Sequence, residues 1–365
     1  MNKINFKTIS YSLILATTIN YIFFTSRFFH RENGFILGDW LVNYEGGFTR
    51  RGLLGEIILN LVNFLELNVI NFTFCIVIFF YLIFIYLFFK LINQRNLDLW
   101  LILLVFSPST FLFNFYDPLA IGRKEFLFFL FFLIYVFFRN ERYSKFILPL
   151  FAICVTLTHE LFVFLTPLLF VNRYIQTNSL RIVKYNIEII ITFLSLVALI
   201  FIIFFTNSDS SIACNYVQNF GLDEKVCWAI NLTQGSKAVA GDYFKSLFYS
   251  IYYSIFILII FLNIYFVLKS NYNLNTFKIF FGFVISFIPI FLLFLIVNDW
   301  GRYISAFTFI CMILLIYNNK SYKELKLTLK NIFIIILFAT SWYMPHCCPE
   351  RHFSSFLYKP GIYYV

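Results

Sequence analysis

Phe146-Ile-Leu-Pro-Leu-Phe-Ala-Ile-Cys-Val-Thr-Leu-Thr-His-Glu-Leu-Phe-Val-Phe-Leu-Thr-Pro-Leu-Leu-Phe-Val171 is long enough to cross a bilayer once, but Thr156-Leu157-Thr158-His159-Glu160 interrupts it near the middle. A single span needs about 20 apolar residues and would set His159 and Glu160 near the bilayer centre, where a charged side chain is costly. Two short helices meeting at His159 return both ends to one side and leave the polar pair at a break. The two readings invert everything that follows. A single span puts the basic segment 172–186 outside. The broken helix keeps it inside, in line with the excess of Lys and Arg in cytoplasmic loops. The broken helix is therefore expected.

Composition sets the membrane as the frame. Of 365 residues, 61% are hydrophobic, 23% aromatic and only 13% charged. Soluble domains carry about 25% charged residues. That excludes a soluble globular enzyme, a disordered chain and a nucleic-acid binder. The net charge of +10, from 28 Lys and Arg against 18 Asp and Glu, points to membrane lipids and basic inner loops instead. Apolar runs lie at Ile9 to Thr25, Val69 to Phe89, Leu97 to Asn114, Glu125 to Phe138, Phe146 to Val171, Ile187 to Phe205, Leu247 to Leu268, Ile279 to Val297, Ile304 to Tyr317 and Asn331 to Met344. The expected fold is all-α: a polytopic integral membrane protein of about ten transmembrane helices, one membrane domain over 1–365. The opening run, polar at Thr17, Thr18 and Asn20 and without a small-residue cleavage site, reads as a retained span. Outer segments fall at 30–68, 115–124, 207–245 and 298–303, with an outer tail at 345–365. Within the first, Leu54, Ile57, Ile58, Leu61, Val62 and Leu65 keep helical spacing opposite Glu56, Asn60 and Asn63, as an interfacial amphipathic helix does.

Cys75, Cys154 and Cys311 lie in apolar runs and read as core residues. Cys214, Cys227, Cys347 and Cys348 fall on the outer side, where an oxidising compartment favours disulfides, with three pairings open. His346-Cys347-Cys348 with His352 matches no standard zinc spacing, so no metal is expected.

Three helices begin on the outer side with glycine and cations together: Gly46-Gly47-Phe48-Thr49-Arg50-Arg51-Gly52, Gly122-Arg123-Lys124-Glu125 and Asp299-Trp300-Gly301-Arg302. A cation at a helix N-terminus opposes the helix dipole unless an anion is bound there. Dipole, free N–H groups and guanidinium together suit phosphate. The bland alternative is that these side chains snorkel to headgroups. Three on one face tilt the balance to an anion site. Carboxylates stand close by: Asp39 and Glu45 before the double arginine, Asp117 before Gly122, Asp299 before Arg302, and Glu160 at the break. Thr158-His159-Glu160 reads equally as a helix start capped by Thr158 and as a general base facing a cavity. Trp40, Tyr44 and Trp300 suit an aromatic belt better than sugar stacking.

The stretch Asn43 to Gly55, with Gly122-Arg123-Lys124-Glu125, His159-Glu160 and Asp299-Trp300-Gly301-Arg302, resembles bacterial envelope-polysaccharide membrane enzymes: O-antigen or capsule repeat-unit polymerases and their GT-C glycosyltransferase relatives. The architecture extends over nearly the whole chain, the motifs over about thirty positions. The resemblance departs at 207–245, which is near neutral where those polymerases carry large basic loops. It implies a GT-C-like fold in the bacterial cytoplasmic (inner) membrane with its active face outward, and a polyprenyl-diphosphate-linked saccharide as donor. Arg50, Arg51, Arg123, Lys124, Asp299 and Arg302 would bind that substrate, and Glu160, His159 or Asp39 would take the acceptor proton. No cofactor is implied, and the partners are lipids and other polysaccharide-assembly proteins. The competing expectation is a transporter or flippase of lipid-linked oligosaccharide. Such proteins carry paired repeats and buried ionisable residues along their path.

Overall fold

The computed structural model describes residues 6–32, 34–179, 181, 186–235, 247–271, 276–295, 299–319 and 328–345, and among these the chain is helical with no strand. Helix α1 (Phe6–Arg27) passes through a π-helical turn, Phe28–Glu32, into the short α2 (Gly34–Trp40). A loop leads to α3 (Gly52–Leu65), and Asn68 then caps α4 (Val69–Asn93) by accepting the Asn71 N–H at 3.0 Å. Next come α5 (Leu99–Val105), α6 (Phe113–Tyr116), α7 (Phe126–Phe138), α8 (Ser144–Thr158), α9 (Leu161–Leu165) and α10 (Pro167–Thr177). The long α11 (Asn186–Phe205) precedes α12 (Ser210–Gln218) and α13 (Cys227–Gly235), and α14 (Leu247–Asn271), α15 (Thr276–Leu293), α16 (Trp300–Asn318) and α17 (Leu329–Thr340) complete the order.

Among the described residues, six helices are long and apolar enough to cross a membrane: α1, α4, α11, α14, α15 and α16. The protein is a multi-pass membrane protein. Five of the six bury one side and present large apolar groups on the other, such as Leu15, Phe79, Phe204, Leu258 and Phe281. A helix facing lipid needs no polar stripe, so exposed apolar rows are the expected signature. Helix α16 differs. It is buried nearly all round, with Ile310, Cys311, Met312 and Ile313 fully enclosed, and packs against α7, α10, α14 and α5.

Several expected spans are shorter. The run Leu97 to Asn114 is not one helix but α5 and α6. The turn Ser107-Pro108-Ser109-Thr110 divides them because proline supplies no N–H and Thr110 Oγ1 donates to the carbonyls that end α5, Leu104 O at 2.7 Å and Val105 O at 3.1 Å. Helices α7 and α17, with 13 and 12 residues, fall below crossing length.

The break at His159 is present. Helix α8 ends at Thr158, His159 is extended (φ −162°, ψ 112°), and α9 begins at Leu161. Thr158 does not cap α9, because its hydroxyl donates back to Cys154 O at 2.8 Å. The His159 ring does that work instead: its Nδ1 accepts the Leu161 N–H at 3.3 Å. A second step follows at Thr166, where Pro167 opens α10.

Helix α3 is amphipathic as expected. Ile58, Leu59 and Val62 are buried and Ile57, Leu61, Phe64 and Leu65 exposed, the surface an interfacial helix offers to lipid. Its seating needs Gly55, where a β-carbon would stand 2.0 Å from Val42 O. Cys214 and Cys227 form a disulfide joining α12 to α13, and α13 packs on α2. Cys311 is buried and Cys154 half-buried, but Cys75 is exposed on the lipid-facing side of α4 rather than in the core. Cys347, Cys348, His346 and His352, with the tail beyond 345, lie outside the described residues, as do Lys237 and Lys245 of segment 207–245.

Candidate functional site

Four separate stretches of chain meet at one end of the helix bundle. Helix α2 brings Asp39. The following loop brings Arg50 and Arg51, and its fold follows from Gly47 (φ 111°), a conformation that L side chains resist, and from two backbone bonds to the chain after α11: Asp209 N to Gly46 O at 2.7 Å and Asn207 N to Phe48 O at 3.1 Å. The turn before α7 brings Arg123, Lys124 and Glu125. The α8–α9 break brings His159 and Glu160, and the start of α16 brings Asp299 and Arg302. All nine residues expected to bind the substrate or take the proton are in this cluster, whereas the nearby carboxylate Glu45 makes no ion pair with it among the described residues and Asp117 is buried beside the turn Pro118–Ala120.

Arg51 is its outer hub. Its Nε donates to Glu160 Oε1 and Oε2 at 3.1 and 3.0 Å, and Nη2 donates to Oε1 at 2.7 Å. Arg50 Nη1 stands 3.7 Å from the same carboxylate, and Arg51 Nη1 stands 3.9 Å from Asp39 Oδ1. Lys124, fully buried, donates from Nζ to Arg51 O at 3.2 Å. Arg302 is the inner hub. Its Nη1 donates to Asp299 Oδ2 at 2.6 Å, and its Nη2 is bonded to Glu125 Oε1. His159 links the hubs, with Nε2 at 3.8 Å from Glu125 Oε1 and Nδ1 at 3.8 Å from Glu160 Oε2. Arg123 Nε donates to Leu119 O at 3.4 Å while its guanidinium lies 4.5 Å over the Phe35 ring.

Five cations thus meet four carboxylates in a largely buried space, one positive charge in excess. Burial alone would push the Asp39 carboxyl up, but Lys124, Arg51 and Arg123 outweigh it and hold it at about 2. Burial pulls the Lys124 ammonium down to about 8, only partly offset by Asp39. Arg50 and Arg123 are likewise lowered by burial.

The helix-start argument is modified in one respect. At α7 and α16 the residue preceding the helix is a carboxylate, Glu125 and Asp299, so the positive end of each dipole already faces an acid of its own chain. At α7 the cation on that acid reaches across from α16, whereas at α16 Arg302 of its own first turn meets Asp299. Glu125, which sequence reasoning placed only as the tail of a motif, is therefore central; its proximity to Arg302, 177 residues away, has no local signal. The tryptophans also differ from expectation: Trp40 is fully buried with its N–H on Gly122 O at 2.6 Å, and Trp300 is 4% exposed with its N–H on Phe294 O at 3.1 Å. Both hold the site's backbone rather than sitting in an interfacial belt.

Arg123, Glu125 and Arg302 line a cavity together with the polar Thr110, Asn114 and Ser305 and a largely aromatic wall that includes Tyr21, Tyr81, Phe84, Phe126 and Phe309. Tyr21 stacks on Tyr81 with centroids 3.7 Å apart, and Phe129 on Phe309 at 4.2 Å. Among the described residues no group of three or more His, Cys, Asp or Glu is placed to hold a metal ion. The arrangement suits a ligand with an anionic head and an apolar body. No protein-family model, curated protein or solved structure matches this chain, so the chemistry of the cluster is read from its own geometry.

Proposed function

We propose that the protein is a membrane glycosyltransferase of the O-antigen or capsule polymerase kind, with a GT-C-like arrangement, that takes its sugar from a polyprenyl-diphosphate carrier at the outer face of the bacterial cytoplasmic membrane. The observation that carries this reading is the meeting of three distant cationic motifs in one cluster, two of which, through Arg123 and Arg302, line a cavity with a largely aromatic wall. Arg123 and Arg302 suit the diphosphate, and the aromatic residues beside them offer apolar surface to the start of the carrier chain. Arg50, Arg51 and Lys124 lie further along the cluster and add positive charge where the leaving group gains negative charge as the glycosidic bond breaks. Asp39, His159 and Glu160 are the groups available to take the proton from the acceptor hydroxyl as its oxygen attacks the anomeric carbon.

The disulfide supports the outward orientation. Cys214–Cys227 staples α12 to α13, α13 packs on α2, the helix that carries Asp39, and disulfides persist in oxidising compartments. A transporter of the same lipid-linked saccharides is the second reading. It is favoured by a buried ionisable group far from the cluster: Tyr135 Oη donates to Glu188 Oε1 at 2.5 Å and accepts from Arg139 Nη1 at 3.2 Å.

Arg51→Ala and Arg123→Ala should each reduce polysaccharide chain extension by about a hundredfold at unchanged protein level, the scale expected for loss of a transition-state charge contact. Full activity in both variants would remove the diphosphate role. Lipid-linked units accumulating on the inner leaflet would favour the transporter.

A further inference from the structure

Glu125 has no role in the chemistry proposed above, yet it stands between the two hubs. Its Oε1 is ion-paired with Arg302 Nη2 and lies 3.8 Å from His159 Nε2, and the residue lines the cavity with Arg123 and Arg302. The Leu161 N–H on His159 Nδ1 leaves the proton of the neutral ring on Nε2, turned toward Glu125. His159 is 1% exposed, and its Nε2 has no hydrogen-bond partner; the same is true of Arg302 Nε. A buried donor without an acceptor is costly. Two such donors flanking one carboxylate give that carboxylate two places to rest.

We propose that Glu125 is a displaceable stand-in for the ligand's phosphate: it holds the Arg302 guanidinium until an entering diphosphate takes that guanidinium, and Glu125 then turns onto the Nε2–H of His159. The proposal rests on the reading of the cluster as a diphosphate site. Asp299 cannot play this part, since it lies outside the cavity lining and its side chain is 32% exposed. The displacement costs every phosphate that takes Arg302 the same amount, and so lowers affinity without by itself choosing among them. A diphosphate recovers more of that cost, because its second phosphoryl group can reach Arg123, which lines the same cavity.

The test is calorimetric titration of the full-length protein in lipid nanodiscs with inorganic pyrophosphate, orthophosphate and farnesyl diphosphate. Glu125→Gln should bind pyrophosphate and orthophosphate each about tenfold more tightly than the wild type, with pyrophosphate still preferred. Glu125→Asp, which keeps the charge on a shorter arm, should fall between Glu125→Gln and the wild type and covers the case in which the glutamine variant does not fold. His159→Phe should weaken pyrophosphate binding in the wild-type background and change nothing in the Glu125→Gln background, because the two residues act as a pair. If both Glu125 variants bind pyrophosphate no more tightly than the wild type, the displacement falls while the anion site stands. If no protein binds either diphosphate, the displacement and the proposed function fall together. Farnesyl diphosphate bound more tightly than pyrophosphate marks a lipid-linked ligand. Equal affinities with the Glu125 effect intact keep the displacement and assign the site to a free diphosphate.

Discussion

Arg51 holds a left-handed backbone conformation (φ 65°) that non-glycine residues seldom adopt. Two contacts fix it there, the forked guanidinium on Glu160 and the Lys124 ammonium on its own carbonyl oxygen. Strain of this kind persists only where the surroundings overdetermine it, and it concentrates at functional sites. Lys124 is the weaker of the two supports because burial lowers its ammonium to about 8. Asp39, Glu160 and Glu125 face it with negative charge, Arg51 with positive charge, and Trp40 presents its ring at 5.9 Å. As pH rises through about 8 the folded protein loses this cation, so pyrophosphate affinity should fall by about tenfold between pH 7 and pH 9.5. Folding stability should move the other way. Between about 8 and the ordinary lysine value of 10.5 the unfolded chain binds the extra proton, so the Lys124 contribution to stability rises with pH. A flat affinity profile over that range would show that Lys124 keeps its proton or stands clear of the anion. Asp39 has the same sense in an acid window: its contribution is complete above its ordinary value of 3.8 and fades as pH falls toward 2.

At the scale of elements, the far end of α7 shows how helices that carry no chemistry are held. Tyr135 and Arg139 of its last turn and C-cap meet Glu188 of α11, and Asn318 of α16 donates to Asn172 of α10 at 2.6 Å. Tyr135→Phe keeps the packing but leaves Arg139 and Glu188 buried without the hydroxyl between them, which should cost about 1–3 kcal/mol. Thermal unfolding in detergent reads that loss. Chain extension should be unaffected, and a loss of function without a loss of stability would favour the transporter reading. The disulfide is the second elemental tie. Cys214→Ser with Cys227→Ser opens a loop of sequence separation 13, and chain-entropy arguments set the cost near 3 kcal/mol. Reductant should shift the wild type to the same unfolding temperature and leave the double variant unmoved. Much of this layout was legible in sequence. The interrupted run at His159 declared itself because polar residues in so apolar a stretch must leave the bilayer, and the apolar stripe of α3 followed from spacing alone. The division of Leu97–Asn114 was missed because apolar residues flank Ser107-Pro108-Ser109-Thr110 on both sides and hydropathy averages over them. The cationic motifs were legible against a nearly uncharged background. Which carboxylate each cation meets was not, since Arg51 and Glu160 are 109 residues apart and no local pattern encodes the contact.

For the whole molecule, the open physical quantity is orientation, and two independent features bear on it. The broken helix returns the chain at the end of α10 to the side from which α8 began, so Arg173 joins Arg139, Arg142 and Lys145 at the end of α7 opposite the cluster. Positive charge at that end favours the cytoplasm. The disulfide-bonded α12 and α13 lie at the cluster's end, where an oxidising environment preserves them. Under the proposed function, a saccharide acceptor would reach the charges of the cluster through an outward opening. These features predict that Asn219→Cys, exposed just after α12, reacts with a membrane-impermeant maleimide in intact cells. Arg142→Cys, exposed just after α7, should react only after the membrane is opened. Cys75, facing lipid, should resist the reagent in both states. Labelling of Arg142→Cys but not Asn219→Cys in intact cells would turn the molecule over and place the arginine cluster in the cytoplasm. A donor there would be a nucleotide-activated sugar rather than a carrier presented from outside. Two introduced cysteines therefore decide whether the five cations of the cluster serve a lipid-linked donor on the outer leaflet.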